Sequence, residues 1–240
     1  MTLIGLTLFY NLTYGQNIVS NHDFEIIFSD SCKNSDGYIS NYFKNKLKNW
    51  YLPSVSKPYI IQTKPFQDCY SMYFVENVGL LNIPKSGDVS IYVGFGRNGG
   101  QGRSYIANEL NQEMDVGSIY HVTLFTRSHY RSGYNCNNLS IYFSEEMVYE
   151  KTMGILQYKP QLVYDKVILN TEWTKIEFLF KPSKPYQHIV IGNFHLSEEN
   201  TYMAVEGNEN ESGTFVEIDE VSIVMVNRRE YKELPLLKDH

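Results

Sequence analysis

Alanine is almost absent from this chain of 240 residues, in which only Ala107 and Ala204 occur. Alanine is the best helix former, whereas aromatic and β-branched residues favour pleated sheets. Its scarcity beside 20 tyrosines and 13 phenylalanines therefore predicts an all-β protein. An AT-rich genome would also enrich tyrosine and isoleucine, so the composition supports this fold class without proving it.

Positive charge is also scarce. The chain carries 21 lysines and arginines against 27 aspartates and glutamates, which gives a net charge of −6. Nucleic acids and anionic membranes are bound by clustered basic residues. Neither is therefore expected as the main partner.

Motifs for catalysis are missing from the sequence. There is no G-x-S-x-G nucleophile elbow, and no two histidines stand at i, i+4 as zinc ligands would. The acidic pairs are adjacent residues, which point to opposite faces of a strand and not across a cleft. Gly94-Phe-Gly96-Arg-Asn-Gly99 matches G-x-G-x-x-G, but no helical pattern follows it, so a flexible loop is expected there. We therefore predict that the protein is not an enzyme.

The first 15 residues carry no charge and are largely apolar. A membrane-spanning helix needs about 20 apolar residues, so this stretch is too short, and no other stretch qualifies. We predict a secretory signal over 1–15 with cleavage before Gln16, although the usual basic start is missing. The alternative is a buried first strand. Export would place the protein in the periplasm, on the outer-membrane surface or outside the cell.

The three cysteines fit no zinc-binding spacing. In an exported chain an odd number predicts one disulfide and one free thiol. Cys32 and Cys69 lie in polar, loop-like sequence within the same third of the chain, so we predict a bond between them. Cys136 lies in a turn-rich stretch and is expected to be a free or weakly buried thiol, not a nucleophile.

Short runs of alternating apolar and polar residues recur between turn signals, as in antiparallel sandwiches and barrels. The predicted strands are Asp88–Phe95, Tyr120–Arg127, Asn138–Ser144, Thr174–Phe180, His188–Phe194 and Phe215–Val226.

The two ends of this β-rich region carry a matched pair of motifs. The first reads Asn17-Ile-Val-Ser-Asn21-His-Asp-Phe24-Glu25, and the second reads Ile218-Asp219-Glu220-Val221-Ser222. Together they resemble the carbohydrate-binding-module-like (galactose-binding-like) jelly rolls, which open with N-L-x-x-N-x-x-F-E and close with I-D-D-V-x. The order of the motifs between them is similar to a branch of this group in exported Bacteroidetes proteins, often found N-terminal to a domain of the outer-membrane protein A type. These motifs are Cys32, Trp50 with Pro53, Cys69, residues 84–94, Trp173 and Ile191-Gly-Asn-Phe194.

The resemblance implies one two-sheet antiparallel β-sandwich, a jelly roll, over residues 16–226, with its first and last strands adjacent. Residues 227–240 are then a charged C-terminal tail. It further implies a structural Ca²⁺ held by Glu25 and Asp219 with backbone carbonyls, since calcium takes 6–8 hard oxygen ligands. The alternative is that both carboxylates face solvent.

A ligand surface would combine aromatic faces with planar polar side chains. Tyr92 points away from the apolar face of its strand, and tyrosines and arginines cluster in the sequence that follows. If their strands are neighbours, the candidates converge on one patch. The alternative is that these side chains only pack against the sandwich and its loops. Trp50 and Trp173 are expected to pack in the core or at its rim. The candidates are Tyr92, Arg103, Tyr105, Arg127, Tyr130 and Tyr134.

Two functions follow from these observations. The first is a non-catalytic exported module that binds carbohydrate at the cell surface or in the periplasm. The second is a structural or interaction subunit of an outer-membrane secretion or gliding assembly, with a protein as its partner.

Overall fold

The computed structural model describes residues 15–26, 47–56, 58–62, 83–96, 102–130, 132–169, 171–208 and 213–239. Within these ranges the regular structure is β-strand apart from two short 3₁₀ helices, Ser197–Glu199 and Arg228–Tyr231. The strands are β1 (Trp50–Tyr51), β2 (Tyr59–Gln62), β3 (Val89–Gly94), β4 (Ile106–Glu109), β5 (Tyr120–Ser128), β6 (Tyr134–Cys136), β7 (Leu139–Ser144), β8 (Leu162–Tyr164), β9 (Thr174–Lys181), β10 (His188–Gly192), β11 (Tyr202–Ala204), β12 (Phe215–Met225) and β13 (Leu236–Lys238).

Two large sheets form a sandwich. One has the order β1-β4-β10-β7-β8, the other has the order β13-β9-β5-β12-β3-β2, and β11 pairs with β6 in a small third sheet. Every pairing is antiparallel except that of β13 with β9. The chain passes repeatedly between the two large sheets, for example from β3 to β4 to β5 and from β8 to β9 to β10, while β2–β3 and β7–β8 pair within one sheet. The predicted fold class, an antiparallel β-sandwich of the jelly-roll kind, is confirmed.

The six predicted strands correspond to β3, β5, β7, β9, β10 and β12, with bounds that differ by no more than two residues. Their alternation places one apolar face of each sheet in the interior. Ile91 and Leu124 of the six-stranded sheet and Ile141 and Ile189 of the five-stranded sheet are buried in the same core.

Trp50 closes the core near the N-terminal segment. It is 2% exposed, its ring centroid lies 4.7 Å from that of Phe24, and its Nε1–H donates to the carbonyl of Asn21 at 2.8 Å. The prediction that Trp50 packs in the core is confirmed.

The two ends of the domain meet, as the paired end motifs predict. Asn17 forms an antiparallel bridge with Val224, and the backbone N–H of Ile18 donates to Ile223 at 3.0 Å. The side chain of Asn17 also accepts from the N–H of Ile223 at 2.9 Å. Beyond this contact, residues 228–238 add a 3₁₀ helix and β13 to a region that the sequence shows only as a charged tail.

The outer face of the five-stranded sheet is covered by residues 145–160, here called the β7–β8 connection. Its Val148 and Leu156 pack with Tyr51, Ala107 and Val190 in a second apolar cluster. The backbone N–H of Glu150 donates to Pro53 at 2.9 Å and that of Val55 donates to Thr152 at 3.2 Å, which fixes the segment to the sheet edge.

The glycine motif after β3 has a packing reason. A Cβ on Gly94 would lie 2.2 Å from the carbonyl oxygen of Gly102, and Gly96 has a φ of +64° that favours glycine. β4 follows without an intervening helix in the described residues, and Gly99 lies outside them.

Candidate functional site

A cleft of about 590 Å³ opens where β7 ends, beside β13 and the end of the β7–β8 connection. In β7, Ile141 and Phe143 face the core, so Tyr142 and Ser144 face outward by the two-residue period. The cleft walls include Tyr142, Lys159, Gln161, Lys184, Tyr186 and Asp239.

The polar groups of the cleft are held in place by one another. The side-chain amide of Gln161 accepts from the N–H of Phe143 at 2.8 Å and donates to its carbonyl at 3.1 Å. The hydroxyl of Tyr186 donates to Asp239, which also accepts from the N–H of Ser183 at 2.8 Å. Lys184 Nζ donates to Glu145 at 2.9 Å. Gln161 and Tyr186 are therefore ordered before a ligand binds, whereas Lys184 and Glu145 form an exposed ion pair.

Tyr142 supplies an aromatic surface to the cleft. Its ring is half-buried and stacks on Tyr158, with the centroids 4.8 Å apart. Burial raises the pKa of Tyr142, and burial with the Asp239 hydrogen bond raises the pKa of Tyr186 to about 12. The Tyr142 phenol therefore stays protonated at neutral pH, and the single hydroxyl proton of Tyr186 is used in its bond to Asp239.

Tyr92 and Arg127, two of the predicted ligand residues, lie on the outer face of the six-stranded sheet. Glu217 of β12 stands between them, paired with Tyr92 on one side and Arg127 on the other. Arg127 Nε and Nη2 both donate to Glu217 Oε2, at 2.9 and 2.7 Å. The guanidinium of Arg127 also lies 4.5 Å from the ring centroid of Trp173, a cation–π distance.

Glu217 and His129 complete this cluster, and the sequence analysis missed both. Burial raises the pKa of Glu217 to about 7, although Arg127 acts to lower it. His129 stacks on Tyr92 with the ring centroids 4.3 Å apart, and it meets Tyr130 at a tilt with the centroids 4.5 Å apart. Its Nε2 is 4.0 Å from Glu217 Oε1. The outward position of Glu217 follows from alternation, but its pairing with Arg127 requires the strand register.

Arg103 and Tyr105 lie elsewhere, in the interior, and both are 0% exposed. Each donates a hydrogen bond to the carbonyl of Asn193 at 2.8 Å. The expected single patch assumed neighbouring strands, whereas β3 belongs to the six-stranded sheet and β4, which follows Tyr105, to the five-stranded one. Tyr134 is half-buried at the start of β6.

The two predicted calcium ligands flank one turn. Glu25 Oε1 accepts from the N–H groups of Asp88 and Val89 at 2.9 and 2.8 Å, and Asp219 Oδ2 accepts from that of Ser86 at 3.1 Å. Burial raises the pKa of both carboxyls, that of Asp219 to about 7. No group of three or more His, Cys, Asp or Glu side chains in the described residues is placed to hold a metal ion. A calcium ion here would take two carboxylates and otherwise depend on backbone carbonyls and water.

Of the three cysteines, the structure describes one. Cys136 is a free, fully buried thiol, and burial raises its pKa to about 12, so it is not poised as a nucleophile. Cys32 and Cys69 lie outside the described residues, so their bond stays a prediction. Among the residues described, no helix has the length and apolar character to cross a membrane.

No protein-family model matches this chain, and no curated protein sequence matches it. Several solved structures are similar. The CBM22-1–GH10 modules of a Clostridium thermocellum endo-1,4-β-D-xylanase complexed with xylohexaose are 17% identical, with a TM-score of 0.40, over 75% of this chain and 26% of that one. The CBM22-1 xylan-binding domain of Paenibacillus barcinonensis Xyn10C is 7% identical, with a TM-score of 0.43, over 89% and 97% of the two chains. TmCBM61 in complex with β-1,4-galactotriose is 11% identical, with a TM-score of 0.38, over 88% and 99%. The present chain thus spans 26% of the xylanase structure, and its own strand pairing establishes the sandwich.

Proposed function

We propose that this protein is a non-catalytic carbohydrate-binding module whose sugar site is the cleft beside β7 and β13. The observation that carries the proposal is the meeting of the Tyr142 ring with fixed hydrogen-bonding groups in one cleft of about 590 Å³. Ligand sites commonly span about 300–1,000 Å³ and combine apolar surface with a few placed polar groups. A sugar has both apolar C–H faces and hydroxyls, so it fits this combination. The resemblance of the two end motifs supports the same function.

Within the cleft each group has a distinct part in the proposed binding. The Tyr142 ring packs against the C–H face of a sugar, because a rigid aromatic ring offers broad apolar area at low entropic cost. Lys159 and Lys184 donate to ring or hydroxyl oxygens, and the carboxylates of Glu145 and Asp239 accept from hydroxyls.

Replacing Tyr142 by alanine is expected to weaken glycan binding about 2- to 12-fold, because an aromatic contact is worth about 0.5–1.5 kcal/mol beyond the area that it buries and about 1.4 kcal/mol is a factor of ten in affinity. A glycan array would identify the ligand, and calorimetry would measure its affinity for both proteins. Tyr149→Ala is the matched control, since Tyr149 is 56% exposed and does not line the cleft. Equal affinity of Tyr142→Ala and the unchanged protein would reject the cleft as the site.

A proposed second contact for a long glycan lies around Tyr92, Arg127, Tyr130 and Tyr134. The half-buried tyrosine rings would form its surface, and the buried Arg127, paired with Glu217, would support them from beneath. We also propose export to the cell surface or periplasm, which the uncharged apolar residues 1–15 support.

Calcium bound between Glu25 and Asp219 remains part of the proposal. A folded carboxyl with a raised pKa holds its proton to higher pH than the unfolded chain does. Asp219 therefore lowers stability as pH rises from about 4 to 7, and Glu25 acts in the same direction. An ion that binds ionised carboxylates offsets this loss. At ten times its Kd, Ca²⁺ is therefore expected to raise the melting temperature by roughly 3–6 °C at pH 8 and by less at pH 5.

The calcium test compares melting curves with added Ca²⁺ and with a chelator. Asp219→Asn should abolish the difference, whereas Asp165→Asn, which changes an exposed carboxylate, should keep it. Identical curves for the unchanged protein in calcium and in chelator would exclude the site.

A second candidate function is that of a scaffold that binds a protein partner. The β7–β8 connection exposes three large side chains, Met147 (57%), Tyr149 (56%) and Met153 (67%). Methionine and tyrosine are enriched in protein interfaces. A photo-crosslinker at Tyr149 should then capture a specific partner in the native host. The same crosslinker at Val116, which is 58% exposed on another loop, should not.

A further inference from the structure

Arg103 is a fully buried arginine whose guanidinium is only partly hydrogen-bonded. Its Nη1 donates to the carbonyl and to the side-chain oxygen of Asn193, at 2.8 and 2.7 Å. Its Nε and Nη2 are buried and have no hydrogen-bond partner in the described part of the chain. No carboxylate there forms an ion pair with it.

Arg127 shows how the Nε and Nη2 groups of a buried arginine in this protein bind a carboxylate. In Arg127 the Nε and Nη2 groups both bind the Glu217 carboxylate, so this buried cation has its counter-charge. Arg103 presents the same edge with no acid on it. That edge matches a carboxylate, which accepts two parallel hydrogen bonds from it. A buried charge without a counter-charge is costly, so binding of an anion would be favoured there.

His195 adds a second open polar group to this cluster. Its backbone N–H donates to Asn193 Oδ1 at 3.0 Å, the same oxygen that accepts from Arg103 Nη1. Its ring Nε2 is buried and has no partner among the described residues. Asn193 therefore bonds to both residues and places the unpartnered groups of Arg103 and His195 in one small region.

This region lies just beneath the surface. The His195 side chain is 27% exposed, although its Nε2 is buried. Gly102, next to Arg103, is exposed, and Asn200, which accepts from Asn193 Nδ2 at 2.8 Å, lies at the partly exposed rim. Because Arg103 itself is 0% exposed, a ligand would reach it only after neighbouring side chains move.

We propose that Arg103 binds the carboxylate group of a small acid, with Nε and Nη2 donating to its two oxygens and His195 Nε2 contacting one of them. The carboxylate can belong to a free small acid or to a uronic acid residue of a saccharide. The site is separate from the cleft and does not depend on it.

Thermal unfolding and calorimetry of the full chain in sodium acetate, with sodium chloride of equal ionic strength as reference, test the proposal. At ten times its Kd, acetate is expected to raise the melting temperature by roughly 3–6 °C above chloride. Glucuronate distinguishes the sources. Binding at least ten times tighter than acetate indicates a saccharide acid, and binding no tighter indicates a free small acid.

Arg103→Met should abolish the acetate effect, and His195→Leu should weaken it. Arg229→Met, which removes an exposed arginine, should leave the effect intact. If acetate and chloride stabilise the unchanged protein equally, or if Arg103→Met keeps the acetate effect, the site is rejected. The first of these comparisons needs no variant, so it decides even if Arg103→Met fails to fold.

Discussion

Replacing Arg127 by methionine is expected to lower the free energy of unfolding by about 3–5 kcal/mol at pH 8, since removing one partner of a buried ion pair leaves the other charge uncompensated. Arg127 is 5% exposed and Glu217 is 0% exposed, so water cannot replace the lost guanidinium. Urea unfolding of the two proteins at fixed pH measures the difference.

The deficit should depend on pH in a defined direction. The pKa of Glu217 is already raised to about 7, so the folded state binds more protons than the unfolded state between about 4.5 and 7, and stability falls as pH rises through this window. Without Arg127 the pKa rises further. The variant should therefore regain stability from pH 8 to pH 5 more steeply than the unchanged protein.

The double variant Arg127→Met with Glu217→Met separates charge from packing. A buried pair replaced by apolar side chains of similar size is often neutral or stabilising, so the double variant should lie within about 1 kcal/mol of the unchanged protein. Equal losses in the single and double variants, with no dependence on pH, would show that Arg127 acts through its packing on Trp173 instead.

Trp50→Ala is expected to cost about 3–5 kcal/mol of unfolding free energy, because it leaves a cavity in a core that packs at crystal-like density. It also removes the donor to the Asn21 carbonyl, whose residue is buried. Chemical denaturation measures the loss.

Two further variants calibrate the Trp50 result. Trp50→Phe keeps most of the apolar contact with Phe24 and loses the hydrogen bond, so it should cost about 1–3 kcal/mol. Trp173→Ala changes a half-buried ring and should cost less than Trp50→Ala. A Trp50→Ala loss below that of Trp173→Ala would contradict the assignment of Trp50 to the core.

The sequence predicts the long strands well and the short ones poorly. β3, β5, β7, β9, β10 and β12 have five to eleven residues, enough for alternation to be visible. The other strands have two to four residues, and no periodic pattern can be read over that length. They form because neighbouring strands hold them, which is tertiary information.

The candidate sites show the same limit. The outward positions of Tyr92 and Arg127 follow from alternation, whereas the partnership of Arg127 with Glu217 depends on the register between β5 and β12. The interior position of Arg103 does not follow from the sequence, because a local pattern does not reveal which sheet the next strand joins. The sequence does not predict the cleft, because its walls combine residues as distant in the sequence as Tyr142 and Asp239.

The parallel pairing of β13 with β9 has a consequence for how the protein behaves in concentrated solution. β9 is bonded to β5 on one side, and on the other side Leu236–Lys238 pair with Leu179–Lys181. An uncovered strand edge is a template for a strand from another molecule. β13 thus shields part of this edge from intermolecular β-augmentation, and a cut just before Leu236 would expose the backbone groups of β9 to pairing with a strand of another molecule.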